Sequence, residues 1–176
     1  MTLKQFLKSK TFRCILVLVC IALVSGALLS ILHDVLYVSE GEKVARTIKG
    51  IYGKSVDYEE IEVNYSTDMG EITSVYKLKD GNYLIKSIGK NGYKYGTITV
   101  WVVATFENNQ YKGITSISVA EYDKQTLMSK FTSSIMNEYK ENPDYVVSGA
   151  TYSSKAMSNA INTAKNYITN NLIEEA

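Results

Sequence analysis

Beyond position 33 this 176-residue chain has neither cysteine nor histidine: Cys14, Cys20 and the single His33 all lie near its start. Without thiols, residues 34–176 can form no disulfide and run no thiol redox chemistry. Without histidine, a Ser-His-Asp hydrolase, a Cys-His nucleophile, a His-ligated zinc or haem and an iron–sulfur cluster all lack their parts. No metal site and no catalytic constellation are therefore expected, and any electron transfer has to use an organic cofactor. Proline is almost absent as well; Pro143 alone excludes proline-rich linkers. Nineteen basic residues against eighteen acidic ones leave a net charge of +1, so no global field favours nucleic acid. Repeats and low-complexity tracts are missing too.

Charge is missing altogether from Cys14 to Leu32, the run CILVLVCIALVSGALLSIL. A helix of that length spans roughly 30 Å, the thickness of a bilayer's hydrocarbon core. Lys4, Lys8, Lys10 and Arg13 precede it, while Asp34, Glu40 and Glu42 follow. The positive-inside rule puts residues 1–12 in the cytoplasm and everything after the 13–33 anchor outside. A cleaved signal peptide ending after Val24-Ser25-Gly26 is the competing reading, and the apolar run continuing past that point favours a retained anchor. His33 reads as an interfacial residue at the helix end.

Residues 34–58 read as a membrane-proximal helix and linker. Val44, Ile48 and Ile51 recur at helical spacing, Ser39 with Glu42 resembles a capping box, and Gly53 is placed to end the helix. From residue 59 to 176 an extracytoplasmic domain is expected. Fourteen tyrosines suit a strand-rich part. Apolar and polar residues alternate over Ile61–Tyr65, Ile72–Leu78 and Tyr83–Ile88, with Asp80-Gly81 as a hairpin signal. Thr97–Phe106 is a more buried strand, and Tyr111–Val119 returns from it through Glu107-Asn108-Asn109-Gln110. Residues 60–120 thus read as an antiparallel meander. A helix over 123–142 follows, with Leu127, Met128, Phe131, Ile135 and Tyr139 on one face and Pro143 beyond its end. Asp144–Val147 reads as a short extended segment. A final helix carries Met157, Ala160, Ile161, Ala164, Ile168 and Leu172 at core spacing. The fold class is α+β: an N-terminal transmembrane helix, then an antiparallel sheet with packed helices.

Between the extended segment and the last helix lies Ser148-Gly149-Ala150-Thr151-Tyr152-Ser153-Ser154, four hydroxyls around two small residues. A helix N-terminus offers free N–H groups and the positive end of a dipole, which suits a phosphate. Gly149 and Ala150 leave room for a bulky partner to reach the Thr151 hydroxyl. Simple helix capping by Ser and Thr is the commoner reading of such residues taken alone. Gly89, Gly92 and Gly96 lack the G-x-G-x-x-G spacing of a dinucleotide fold and read as turn markers.

The string DYVVSGATYSSKAMSNAI resembles the flavinylation motif of the FMN-binding domain family, which includes the G subunit of the Rnf ion-pumping complex and the C subunit of the sodium-translocating NADH:quinone oxidoreductase. The order of anchor, exported domain, strand-rich middle, motif and final helix is similar too, as is the Gly89–Gly96 approach to the central strand, so the resemblance runs along essentially the whole chain. Two places depart from the family: Tyr145 stands where an aspartate is usual, and Glu121–Thr126 replaces a Pro-Gly-containing loop.

The resemblance implies FMN attached by a phosphoester to Thr151, with Ser148, Gly149 and Ala150 around it and Ser153 as the second candidate acceptor. It implies an ApbE-type, magnesium-dependent flavin transferase that uses FAD, and integral membrane redox subunits as partners alongside membrane lipid. The chain would be an electron-transfer subunit of an oxidoreductase complex rather than a stand-alone catalyst. Tyr93, Tyr95, Trp101 and Tyr122 are candidates to stack on the flavin ring, and Lys155 to meet the phosphate. The alternative is a membrane-anchored binding or structural domain of the same fold without flavin.

Overall fold

The computed structural model describes residues 10–36 and 38–173, so Lys4 and Lys8 of the basic flank lie outside the described residues. The chain divides into two units, residues 1–47 and 48–176. The first is dominated by α1 (Lys10–Leu36). Within it Phe12–His33 is a single helix long and apolar enough to cross a membrane, with a mean hydropathy of 2.9. Its side chains stand exposed all round, as a lipid-facing helix requires. Helix α2 (Glu40–Tyr52) follows. Ser39 accepts the Glu42 N–H at 3.2 Å, and Arg46 reaches back to Glu42 at 2.6 Å. Gly53, at φ 69°, closes the helix in the left-handed region that glycine adopts freely.

In the second unit the alternating segments pair into one six-stranded antiparallel sheet. Its strands are β1 (Tyr58–Ile61), β2 (Tyr65–Ser66), β3 (Gly70–Leu78), β4 (Tyr83–Gly89), β5 (Ile98–Glu107) and β6 (Gln110–Tyr122). The order is β1-β3-β4-β5-β6, with β2 also on β3. Turn chemistry sets the register. Asn108 and Asn109, at φ 52° and 60°, form the two-residue turn between β5 and β6, a primed geometry that asparagine tolerates. Gly81, at φ 88°, turns β3 into β4. The segment expected to alternate from Ile61 to Tyr65 is instead interrupted, since residues 62–64 leave the sheet between β1 and β2.

One face of the sheet carries the core. Ile72, Val75, Ile85, Val100 and Val102 pack there against Met157, Ala160, Ile161, Ala164 and Ile168 of α4 (Thr151–Tyr167) and the π turn Ile168–Leu172 that ends it. Each large aliphatic side chain buried here is worth roughly 1.5–3 kcal/mol. Helix and sheet meet closely because glycines leave room: a Cβ on Gly89 would sit 1.9 Å from the Ala156 carbonyl oxygen, and one on its partner Gly70 would sit 2.7 Å from Thr163 Oγ1. Gly89 is thus a contact point inside a strand, whereas Gly92 and Gly96 do bracket a turn, the Gly92 N–H bonding the Gly96 carbonyl at 3.0 Å. Ser87 donates its hydroxyl to the Ala160 carbonyl at 2.6 Å, and Asn159 donates to the Lys90 carbonyl at 2.8 Å. These contacts fix the height at which α4 begins.

The helix expected over 123–142 is shorter. α3 runs only from Ser133 to Glu141, and Met128–Lys130 forms a single 3-10 turn before it. Leu127 sits at φ 59°, a left-handed conformation no helix interior accepts, and its side chain is 46% exposed rather than on the core face. Ile135 and Tyr139 do face the core, with the Phe131 ring stacked on Tyr139 at 6.3 Å.

Candidate functional site

Helix α4 opens at Thr151. The preceding turn is closed by the Ala150 N–H to the Val147 carbonyl at 2.9 Å, and Gly149 within it has φ 77°. Ala150 occupies the N-cap position and no side chain caps the helix. None of the motif's hydroxyls is spent on capping, so the helix start has no side-chain acceptor at its cap. The positive end of the helix dipole lies at the same place.

The hydroxyls divide sharply. Ser148 and Thr151 are exposed, as is Tyr152 beside them. Ser154 is buried, its Oγ accepting the Val147 N–H at 2.9 Å. Ser153 is only 2% exposed, and its hydroxyl proton is shared between Gln125 Oε1 at 3.0 Å and the Thr126 carbonyl at 3.1 Å. An external reagent thus meets Thr151 in the open and finds Ser153 enclosed.

Two residues that carry no motif or periodic signal complete the surroundings. Lys130 donates its ammonium to the Ser148 carbonyl at 2.7 Å, and a Cβ on Gly149 would lie 3.0 Å from the same nitrogen. A positive charge therefore stands beside the uncapped helix end, and glycine at 149 makes the space for it. Gln125, 8% exposed, ties three segments together. Its carboxamide oxygen accepts the Tyr93 N–H at 3.1 Å as well as the Ser153 hydroxyl, and its nitrogen donates to the Asp123 carbonyl at 2.9 Å. Gly92 and Gly96 close around that side chain, with a Cβ at either coming within 2.8 Å of neighbouring atoms. A lone glutamine in a polar stretch carries no periodic or motif signal. The left-handed φ values of Asn91, Lys94, Tyr95, Lys124 and Leu127 cluster in the two loops that Gln125 joins.

Of the aromatic candidates, Tyr93 lies beside the helix start, its ring 6.3 Å from that of Tyr152. Tyr95 is 88% exposed in the same loop, and Tyr122 ends β6 opposite Ile98. Trp101 is different. Its register partner is Lys86, so it points to the face of the sheet opposite Val100, Val102 and α4, where it packs against Tyr76 at 6.1 Å. Strand alternation removes it from the Thr151 surroundings. Lys155 is exposed one turn along α4. Tyr145 is half-buried with its ring edge-on to Tyr139 at 5.8 Å, and the adjacent Asp144 accepts a bond from Asn162 at 2.9 Å. Among the described residues no group of three His, Cys, Asp or Glu is placed to hold a metal ion.

Residues 92–166 match the family model of the FMN-binding domain. The matched segment begins at the Gly92 loop, takes in β5, β6 and α3, and ends one residue before α4 does, so it contains Gln125, Lys130 and Thr151. Strands β1–β4 lie outside it, a narrower span than the whole-chain resemblance. No curated protein and no solved structure matches the chain.

Proposed function

We propose, on the basis of an FMN-binding domain over residues 92–166, that this chain is a membrane-anchored flavoprotein carrying FMN on Thr151 through a phosphoester. The observation that carries the reading is the division among the hydroxyls: Thr151 stands exposed at the uncapped start of α4 with Lys130 beside it, while Ser153 and Ser154 are buried and bonded. That combination suits an acceptor whose product is a phosphate diester.

An ApbE-type transferase with magnesium and FAD supplies the activation. The Thr151 oxygen bonds to the FMN phosphorus, the pyrophosphate P–O bond breaks, AMP leaves, and the hydroxyl proton passes to the transferase. The absence of histidine beyond His33 agrees with a base brought by another protein. Once attached, FMN supplies the redox chemistry, and the chain supplies position and charge. The apolar Phe12–His33 helix supports a single-pass anchor, with the basic N-terminal flank inside and the domain outside. One span cannot move ions alone, so integral membrane subunits of a Rnf-like or related redox chain are the partners.

Tyr145 favours a second reading. Its ring occupies space against Tyr139 where the family usually has an aspartate. A domain of this fold that binds without flavin is the alternative. Intact mass after coexpression with a flavin transferase separates the two. A gain of one FMN, lost in Thr151→Val, supports the flavoprotein. Unmodified protein beside an active transferase leaves the binding domain.

A further inference from the structure

At the far end of α4 the same unit encloses a second, separate space. A cleft of about 380 Å³ lies between the π turn, the sheet and the β1–β2 connection. Tyr65, Tyr83, Tyr167, Asn64, Asn171 and Lys77 line it. Tyr167 at its edge lies sixteen positions along α4 from Thr151, roughly 24 Å at the α-helical rise. It is therefore no part of the acceptor site.

Two departures from regular structure build this cleft. On one side β1 stops at Ile61 and the pairing resumes only at Tyr65, so residues 62–64 swing off β3 and become a wall. On the other, α4 widens into the π turn, the Ile173 N–H bonding the Ile168 carbonyl at 3.1 Å. Single π turns of this kind concentrate at functional sites. Asn171 of the widened turn lines the cleft with Lys77 and Tyr83, register partners on the helix face of the sheet, Lys77 exposed and Tyr83 half-buried against Phe106.

The Tyr65 and Tyr167 rings meet edge-on at 5.4 Å and offer apolar surface between the walls. Lys77 holds its ammonium 5.9 Å from the centre of the Tyr83 ring, and among the described residues no carboxylate comes within ion-pair distance of it. Glu62 also lines the cleft. Glu59 is the cross-strand register partner of Lys77, and Glu62 lies beyond the end of β1. The cleft thus combines one lysine ammonium with an aromatic wall.

We infer that this cleft binds a small planar aromatic acid, its carboxylate on Lys77 and its ring among the three tyrosines. The volume admits one or two fused rings and not a dinucleotide.

The test uses the full chain in detergent without flavin, titrated with the fluorescent probe 6-hydroxy-2-naphthoate and read by anisotropy, with its neutral carboxamide as comparison. Saturable binding of the acid is expected, tighter than the amide by about tenfold. Lys77→Gln is expected to erase that difference while leaving the amide's affinity unchanged. Asn171→Trp and Asn64→Trp, filling the cleft from opposite walls, are each expected to abolish binding of both probes. Circular dichroism identifies a variant that fails to fold, and the exposed Lys77→Gln stands independently of the filling variants. No saturation by either probe up to ~5 mM overturns the proposal. So does equal affinity for acid and amide in the wild type, or binding that survives both tryptophan variants in folded protein.

Discussion

The Ser153 hydroxyl and the Gln125 carboxamide oxygen lie 3.0 Å apart, joining the first turn of α4 to the loop that leaves β6. The same oxygen accepts the Tyr93 N–H, so one buried side chain sets the distance between the Gly92–Gly96 loop and the Thr151 helix start. Gln125→Ala removes three hydrogen bonds and leaves the half-buried Tyr93 N–H without its partner, while Ser153 keeps the Thr126 carbonyl. The expected cost is about 1–3 kcal/mol, the range for one group left unpaired, and less where it finds water. Urea denaturation of the full chain in detergent reads it, and a loss below about 0.5 kcal/mol would show that the loops hold together without this residue.

Gly89 faces the Ala156 carbonyl so closely that a methyl group has no room. Gly89→Ala is expected to push α4 off β4 and to lower stability by about 1–3 kcal/mol, the range for overpacked sites. Gly113→Ala makes a useful comparison, because a Cβ there meets nothing while its φ of 131° still opposes a side chain. Gly89 has no positive φ, so Gly113→Ala reads backbone strain alone, and a negligible loss in Gly89→Ala would show that α4 yields to the methyl group.

Leu127 occupies a left-handed conformation with much of its side chain in solvent. Glycine relieves that strain, so Leu127→Gly is expected to leave stability unchanged or raise it by up to ~1 kcal/mol. A clear loss would reveal that the leucine packs on something that repays its backbone.

Lys130 is exposed, and its bond to the Ser148 carbonyl adds little to folding, under about 1 kcal/mol. Under the flavoprotein reading, Lys130→Ala is expected to slow flavin incorporation by a transferase several-fold, because the incoming phosphate loses a nearby cation. Initial rates of incorporation, with melting temperature as the control, separate that effect from a loss of fold. Unchanged rates would remove Lys130 from the acceptor site.

Burial pushes the phenol of Tyr139 above its ordinary value of 10.0, as it does for Tyr52, Tyr76 and Tyr111. A pKa raised by folding contributes stability that is present below 10.0 and is lost as pH rises through the folded value, because the unfolded chain ionises first. Denaturation midpoints are therefore expected to hold to about pH 9 and to fall steeply above about pH 10. Tyr139→Phe is expected to flatten that fall, and an identical alkaline slope would place the effect on the other tyrosines.

Much of the architecture is local and was legible in the sequence. Alternation fixed β3 to β5, Asn108-Asn109 and Gly81 fixed their turns, and the i, i+3, i+4 stripe from Met157 to Leu172 fixed the last helix, since each rests on backbone preferences within a few residues. Residues 123–142 misled because their apolar spacing suits a helix. Gln125 is held by partners 28 and 32 residues away instead, and that long-range bonding outweighs propensity over the first ten positions. Trp101 was placed beside the motif only by its aromatic character; parity along β5 puts it on the other face.

The sequence by itself determined the apolar helix, the α+β class and the SGAT motif, because hydrophobic length, periodicity and a short string are properties of neighbouring residues. Tertiary structure decided which hydroxyl is open, which cation stands beside it and which cleft Asn171 and Lys77 share. Burial and charge proximity depend on segments far apart in the chain, and the close packing of α4 on Gly70 and Gly89 brings those segments together.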